Sequence, residues 1–269
     1  MTDENGPDST AQVSGSATFV RSVARALKVI GGFGVDAPAQ TVAQVATRND
    51  LDRATARRVL LTLEELGYLR RDGRQFSLTP RVLELGFAYM SSLPFWSVAD
   101  DVLKELADSL QAFCLIVAID SSYETVWVVS SVKSRNSLPL VEFPNTGRHT
   151  PSHRVAPGII LLGGLTGQEL NRALLACTAR DENVSLPALR ERVIQDRLQG
   201  WSLRVVPAEN FTEIAVPLLN AQGRIIASMS VLCPLSKISA DDAVKRHLPR
   251  IKQAAEEINT LVGYRAPGP

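Results

Sequence analysis

Apolar residues recur at helical spacing in the first third of the chain, then at strand spacing or in short unbroken runs. Between Leu51 and Pro80, Ala56, Val59, Leu60, Leu63 and Leu66 form one apolar stripe, with Arg53, Thr55, Arg57, Arg58 and Thr62 on the other faces. The spacing predicts a helix that Gly67 ends, because glycine readily adopts the positive φ of that position. Tyr68–Arg71 and Arg74–Leu78 then flank Asp72-Gly73, a two-residue hairpin signal. Upstream, Phe19–Phe33 predicts a helix with Val20, Val23, Ala24, Leu27 and Ile30 inward and Arg21, Arg25 and Lys28 outward. Thr41 caps a short helix with Val42, Val45 and Ala46 inward, and Asp52 opens the longer one. Helix, short helix, tight turn, longer helix and hairpin is the order of a winged helix-turn-helix.

Pro80 opens a helix to about Leu93 that is apolar on more than one side. This suits either a linker packed on a partner chain or an ordinary buried helix. Trp96–Leu110 predicts another helix, with Val98, Val102, Leu103, Leu106 and Leu110 inward. Strands are expected at Phe113–Ile119, Thr125–Val132, Leu138–Phe143, Trp201–Val206, Glu213–Leu218 and Ile225–Leu232. Helices are expected at Ala156–Gly163, Gly167–Cys177, Pro187–Gly200 and Ser239–Tyr264, the last with Pro249 as a kink or break. The fold class is α+β, with a mixed sheet flanked by helices following the winged helix. The expected divisions are a disordered tail (1–17), a DNA-binding domain (18–80), a linker helix (81–94) and a sensor domain (95–264).

Composition changes this picture little until charge is divided by segment. The 269 residues carry a formal net charge of only +1. Residues 18–80, however, hold ten Arg and Lys against six Asp and Glu, so a charge of +4 lies on the segment patterned as a DNA reader. No apolar run approaches the roughly 18 residues of a membrane span. The polar, acidic N-terminus lacks signal-peptide features. Cys114, Cys177 and Cys233 are far apart and read as core thiols in a cytoplasmic protein. No nucleophile elbow, P-loop or dinucleotide fingerprint is present, so no catalytic residue and no cofactor are expected.

The segments RSVARALKVIGGF and DRATARRVLLTLEELGYLRRDGRQFSLTPRVLELGFAYMSSL resemble the IclR family of bacterial transcription regulators, as do GRHTPSH and EIAVPLLNAQGRIIASMSV downstream. The opening helix, the RATARRVLLTLEELGY helix and LGFAYMSSL look most like the branch that controls protocatechuate, 4-hydroxybenzoate and β-ketoadipate metabolism. The resemblance spans roughly residues 18–263. It implies a winged helix-turn-helix, a linker helix and a GAF-like sensor with a small-molecule pocket, assembled as a homodimer or dimer of dimers. The implied partners are a double-stranded operator, an aromatic or dicarboxylic acid effector and, for an activator, RNA polymerase. The competing reading is a small-molecule-binding or enzymatic module whose basic N-terminus contacts protein.

Site candidates follow. Arg53, Thr55, Arg57 and Arg58 stand near the front of the recognition helix, where side chains reach base edges. Arg21, Arg25 and Gln44 are expected on phosphates, and Arg70, Arg71 and Arg74 on the backbone or minor groove beside the wing. For the effector, small residues at a helix start leave N–H groups that can hold a carboxylate. The family usually has a His-Ala-Thr-like run followed by Gly-Lys here. This chain keeps Pro151, His153 and Gly158 but has Arg154-Val155 and Ile159. By the resemblance, Ala156 and Pro157 line the pocket beside His153, with Glu213 and Ser230 facing it from later strands. Arg204 either receives an acid ligand or pairs with Glu213. His149 and His153 flank Pro151, which opposes a shared helical metal site, and no metal is expected.

Overall fold

The computed structural model describes residues 18–93, 95–132, 147 and 149–264. The chain divides into two compact units, Met1–Ser92 and Leu93–Pro269. The strand expected at Leu138–Phe143 and the turn beginning at Pro144 lie outside the described residues, apart from Gly147.

In the first unit, α1 (Arg21–Gly31), α2 (Val42–Arg48) and α3 (Arg53–Glu65) precede a hairpin of β2 (Leu69–Asp72) and β3 (Gln75–Leu78). A short strand not foreseen from the pattern, β1 (Ala39–Thr41), pairs antiparallel with β3, giving the sheet order β1-β3-β2. Val45, Ala46, Ala56, Leu60, Leu63, Leu69 and Phe76 close one core with Val29 and Phe33. Each fully buried aliphatic side chain there contributes about 1.5–3 kcal/mol. Thr41 and Gln44 form a reciprocal capping box on α2, and Asp52 caps α3 through the Thr55 amide at 2.8 Å.

Three local expectations are corrected. The hairpin loop is Gly73-Arg74, since Asp72 pairs with Gln75, one residue later than the Asp72-Gly73 signal suggests. Gly73 has φ +58° and Arg74 is not in the left-handed region, so the strongest conformational demand falls on the first loop residue. The α1 stripe does not pack inward as a whole. Val20, Val23 and Leu27 are more than half exposed and Val29 is buried, because α1 meets the core through its C-terminal end. A 3-10 turn at Pro80–Val82 precedes α4 (Leu83–Ser92), which exposes Leu83, Leu85, Phe87 and Tyr89 and buries no residue. α4 is therefore not an ordinary buried helix.

The second unit has a six-stranded sheet in the order β6-β5-β4-β9-β8-β7. Its strands are β4 (Phe113–Ile119), β5 (Glu124–Val132), β6 (His149–Pro151), β7 (Ser202–Val206), β8 (Phe211–Leu219) and β9 (Ile225–Pro234). Among the described residues every pairing in this sheet is antiparallel. α5 (Trp96–Leu110) and α9 (Ala240–Leu261) pack on one another and on the sheet. α6 (Ala156–Gly164) packs on strands β4, β5, β7, β8 and β9, with α7 (Gly167–Arg180) and α8 (Leu186–Gln199) beside it. α9 runs through Pro249 as one helix, so of the expected kink or break the break does not occur. The α+β class stands, and the three cysteines are buried and free.

Candidate nucleic-acid interface and effector site

The apolar stripe of α3 fixes which side chains remain outside. With Ala56 and Leu60 fully buried, Arg53, Arg57 and Arg58 are exposed. Thr55 is not. It is only 9 % exposed, and its amide and hydroxyl hold the Asp52 carboxylate below its ordinary range. It therefore serves the helix start and leaves the set of outward contacts. Gln44 is also committed locally, its Oε1 accepting from the Thr41 amide at 2.8 Å and the Thr41 hydroxyl at 2.9 Å. Arg21 and Arg25 are exposed on α1.

Side chains alternate across a strand, so Arg70 and Arg71 leave opposite faces of the wing. Arg70 Nε donates to Ser77 Oγ at 3.1 Å across the hairpin. Arg71, by contrast, lines a groove with Arg74, Gly73 and Phe76 of the wing, Arg57 and Leu61 of α3, and the chain at Thr41–Ala43. The groove encloses about 530 Å³. Recognition helix and wing thus share one basic surface, although their arginines are separated in sequence by the end of α3.

In the second unit, β8 and β9 bring Glu213 and Ser230 to the start of α6. Glu213 is buried, its Oε2 accepting from the Ala156 amide at 2.9 Å and its Oε1 from the Ser230 hydroxyl at 3.1 Å. The α6 N–H expected to receive an acid ligand is therefore occupied by an internal carboxylate. Pro157, the next residue of α6, has no N–H to add. Burial pushes the Glu213 carboxyl above its ordinary range, against the opposing effects of the Ala156 amide, Arg204, Ser230 and Arg192.

Arg204 is the register partner of Glu213 on β7. Its guanidinium lies 5.8 Å over the Phe211 ring, within cation–π range, and it forms no ion pair among the described residues. Of the two alternatives for Arg204, the direct pair with Glu213 is absent among the described residues, although the carboxylate feels the arginine's charge. The cross-strand register aligns the two backbones, while Phe211 takes the guanidinium.

His153 is buried on the 3-10 turn before α6, and its Nε2 lies 3.2 Å from Asp181 Oδ2. Arg154 Nη2 meets the same oxygen at 2.8 Å, and the two partners hold Asp181 down to about 2. Burial lowers the His153 imidazole from its ordinary value, while Asp181 opposes that shift. His149 instead approaches Glu124 at 3.5 Å and Asp120 at 3.7 Å, so the two histidines take different partners. No group of three or more His, Cys, Asp or Glu side chains converges on a metal position among the described residues. Asp181 carried no signal in the sequence, because it meets His153 only after α6 and α7 have folded back.

Comparisons with known proteins agree with this architecture. Residues 22–73 match the IclR helix-turn-helix domain, and residues 87–260 match the bacterial transcriptional regulator IclR C-terminal domain. The Pca regulon regulatory protein of Pseudomonas putida is 30% identical over 91% of this chain and 85% of its own length. The p-hydroxybenzoate hydroxylase transcriptional activator of Acinetobacter baylyi is 30% identical over 91% of this chain and 92% of its own. Among solved structures, an IclR homolog of Microbacterium hydrocarbonoxydans complexed with 4-hydroxybenzoate has a TM-score of 0.73 at 22% identity, covering 90% of this chain and 98% of that one. No described helix is long and apolar enough to cross a membrane. The chain belongs to the IclR family and is a DNA-binding transcriptional regulator, with an N-terminal winged helix-turn-helix and a C-terminal IclR effector-type domain.

Proposed function

We propose that this regulator's operator binding or transcriptional output is set by a small aromatic or dicarboxylic acid held in the second unit, near Glu213, Ser230, Ala156, Pro157, His153 and Arg204. The observation that carries this reading is the buried Glu213 carboxylate, with a helix start on one oxygen and a strand hydroxyl on the other. A hydroxylated aromatic acid matches that surrounding chemistry: its hydroxyl can donate to a carboxylate, and its own carboxylate suits Arg204. The relatives named for the Pca regulon and for p-hydroxybenzoate hydroxylase, and the homolog crystallised with 4-hydroxybenzoate, support the same class. Arg21, Arg25, Arg53, Arg57, Arg58, Arg70, Arg71 and Arg74 supply the operator contacts, while Gln44 and Thr55 serve the helix caps. The protein acts without catalysis in the cytoplasm.

The exposed apolar residues of α1 and α4 support assembly with a second copy of this chain. A Phe87→Ser variant is expected to shift the species seen by light scattering toward monomer.

The primary test is fluorescence anisotropy on the DNA upstream of the protein's own gene, with excess mixed-sequence duplex. It would be run with and without 4-hydroxybenzoate, protocatechuate and β-ketoadipate. Coupling of about 1–3 kcal/mol would appear as roughly a 5- to 150-fold change in operator affinity, mirrored in effector affinity. If each acid binds equally to free and operator-bound protein, and none changes transcription of the flanking genes, the effector assignment fails. Retained selective DNA binding would leave the regulator assignment intact.

A further inference from the structure

We infer that the second unit carries a further ligand site, between α9 and the end of β8, and that it takes a free α-amino acid with an apolar side chain. The groove there encloses about 400 Å³, at the small end of the roughly 300–1,000 Å³ of small-molecule sites. It is separate from the Glu213 region. Glu213 and Ala215 point from β8 toward α6, and strand alternation turns Val216 to the side on which α9 packs.

The backbone along this groove is closed to an added strand. β8 outruns its neighbour β7: pairing ends at Ser202 with Ala215, so Val216–Leu219 forms a bare sheet edge. Backbone groups alternate in direction along an antiparallel ladder. The Val216 carbonyl accepts from the Ser228 hydroxyl of β9 at 3.0 Å, so Pro217 faces the bare edge. Proline has no N–H to offer. The Leu219 N–H, past a register shift, is taken by Asn259 Oδ1 at 2.8 Å. The edge therefore lacks the donors a paired strand needs and keeps the Pro217 carbonyl as an acceptor.

Two opposite charges flank the same groove. Lys252 and Glu256 line it one turn apart on α9, Lys252 half-buried and Glu256 exposed. Lysine before glutamate is the weaker order for an i,i+4 pair. Neither side chain has a hydrogen-bond or ion-pair partner among the described residues, whereas Asp100 and Lys104 on α5, in the stronger order, do pair. Val216, Pro217, Leu219 and Ala255 give the groove an apolar wall. An organic anion alone would meet Glu256 and the Pro217 carbonyl, and an amine alone would meet Lys252. An α-amino acid answers both. Its carboxylate accepts from Lys252, its ammonium donates to Glu256 and the Pro217 carbonyl, and its side chain covers the apolar wall.

Equilibrium dialysis of the full-length protein against radiolabelled L-leucine tests this. One leucine is expected per chain. Isocaproate lacks the ammonium, isoamylamine the carboxylate and glycine the apolar side chain, so each should compete at least about tenfold more weakly than leucine itself. Lys252→Ala and Glu256→Gln should each weaken leucine binding at least about tenfold while melting like wild type, since neither side chain is in the core. Saturating 4-hydroxybenzoate should leave leucine in place. No retained leucine at millimolar concentration would overturn the inference. So would retention that both variants share with wild type, or competition by isocaproate equal to that of leucine, which would make the groove a site for simple acids. Stoichiometric displacement of leucine by 4-hydroxybenzoate would also overturn it, by putting leucine in the acid-effector site and leaving the acid-effector reading intact.

Discussion

Replacing Glu213 tests whether the carboxylate holds the second unit together at the start of α6. Glu213→Ala removes the acceptor for the Ala156 amide and for the Ser230 hydroxyl at a buried site. A buried polar group left unpaired costs about 1–3 kcal/mol. Two such losses are offset in part because a buried charge also disappears, leaving an expected net destabilisation of about 2–4 kcal/mol. Glu213→Gln keeps an acceptor without the charge and should fall within about 1 kcal/mol of wild type.

Urea unfolding followed by tryptophan fluorescence isolates the effect, because Trp96, Trp127 and Trp201 all belong to the second unit. The pH dependence supplies an independent sign. Burial raises the Glu213 carboxyl above its ordinary value, so the fold favours its protonated form. The stability contributed by that protonation is complete below the unfolded-state pKa and is lost as pH rises through the higher folded-state value. The Gln variant should therefore gain on wild type across that rise and then run parallel to it. An Ala variant indistinguishable from wild type, or a Gln variant as damaged as Ala, would refute the reasoning. So would a Gln variant that gains only as pH falls.

Other perturbations separate local causes. Asp181 is held down to about 2 by Arg154 first and His153 second, so its contribution is present above its unfolded pKa and lost as pH falls toward the folded value. Asp181→Asn should abolish that part of the acid sensitivity, seen as a flatter stability profile in the same fluorescence assay. Gly158→Ala would drive a methyl group into the Ser152 backbone, where the preceding turn crosses α6. Calorimetry should show a loss of at least about 1–3 kcal/mol, the range for overpacking. Asp52→Ala should destabilise the first unit by about 1 kcal/mol through loss of the α3 cap, measured by helical circular dichroism. A wild-type melting curve would show that the cap contributes nothing.

Much of the winged helix was legible because its determinants are local. The Ala56, Leu60 and Leu63 spacing, the Thr41 and Asp52 caps and the Gly73 turn each act within a few residues of themselves. The strand at Phe113–Ile119 was equally plain, being an unbroken apolar run. Two local patterns misled. The α1 stripe looks like a core-facing surface, but periodicity reports that a face is apolar and not what covers it. Thr55 looks available on a helical wheel, but the Asp52 cap engages it.

The effector region depended on distant pairing. Glu213 meets both Ala156 and Ser230 only because β8 and β9 lie side by side under α6, and His153 meets Asp181 only after α7 has run its length. The sequence by itself determined the chemical types available and the faces on which helices and strands present them. The tertiary structure alone decided that Glu213 occupies the α6 amide, that Phe211 holds Arg204, and that Arg57 shares a groove with Arg71 and Arg74. The physical reason is that local spacing fixes a side chain's direction within one element, whereas hydrogen-bond and charge partners are fixed by which elements pack together.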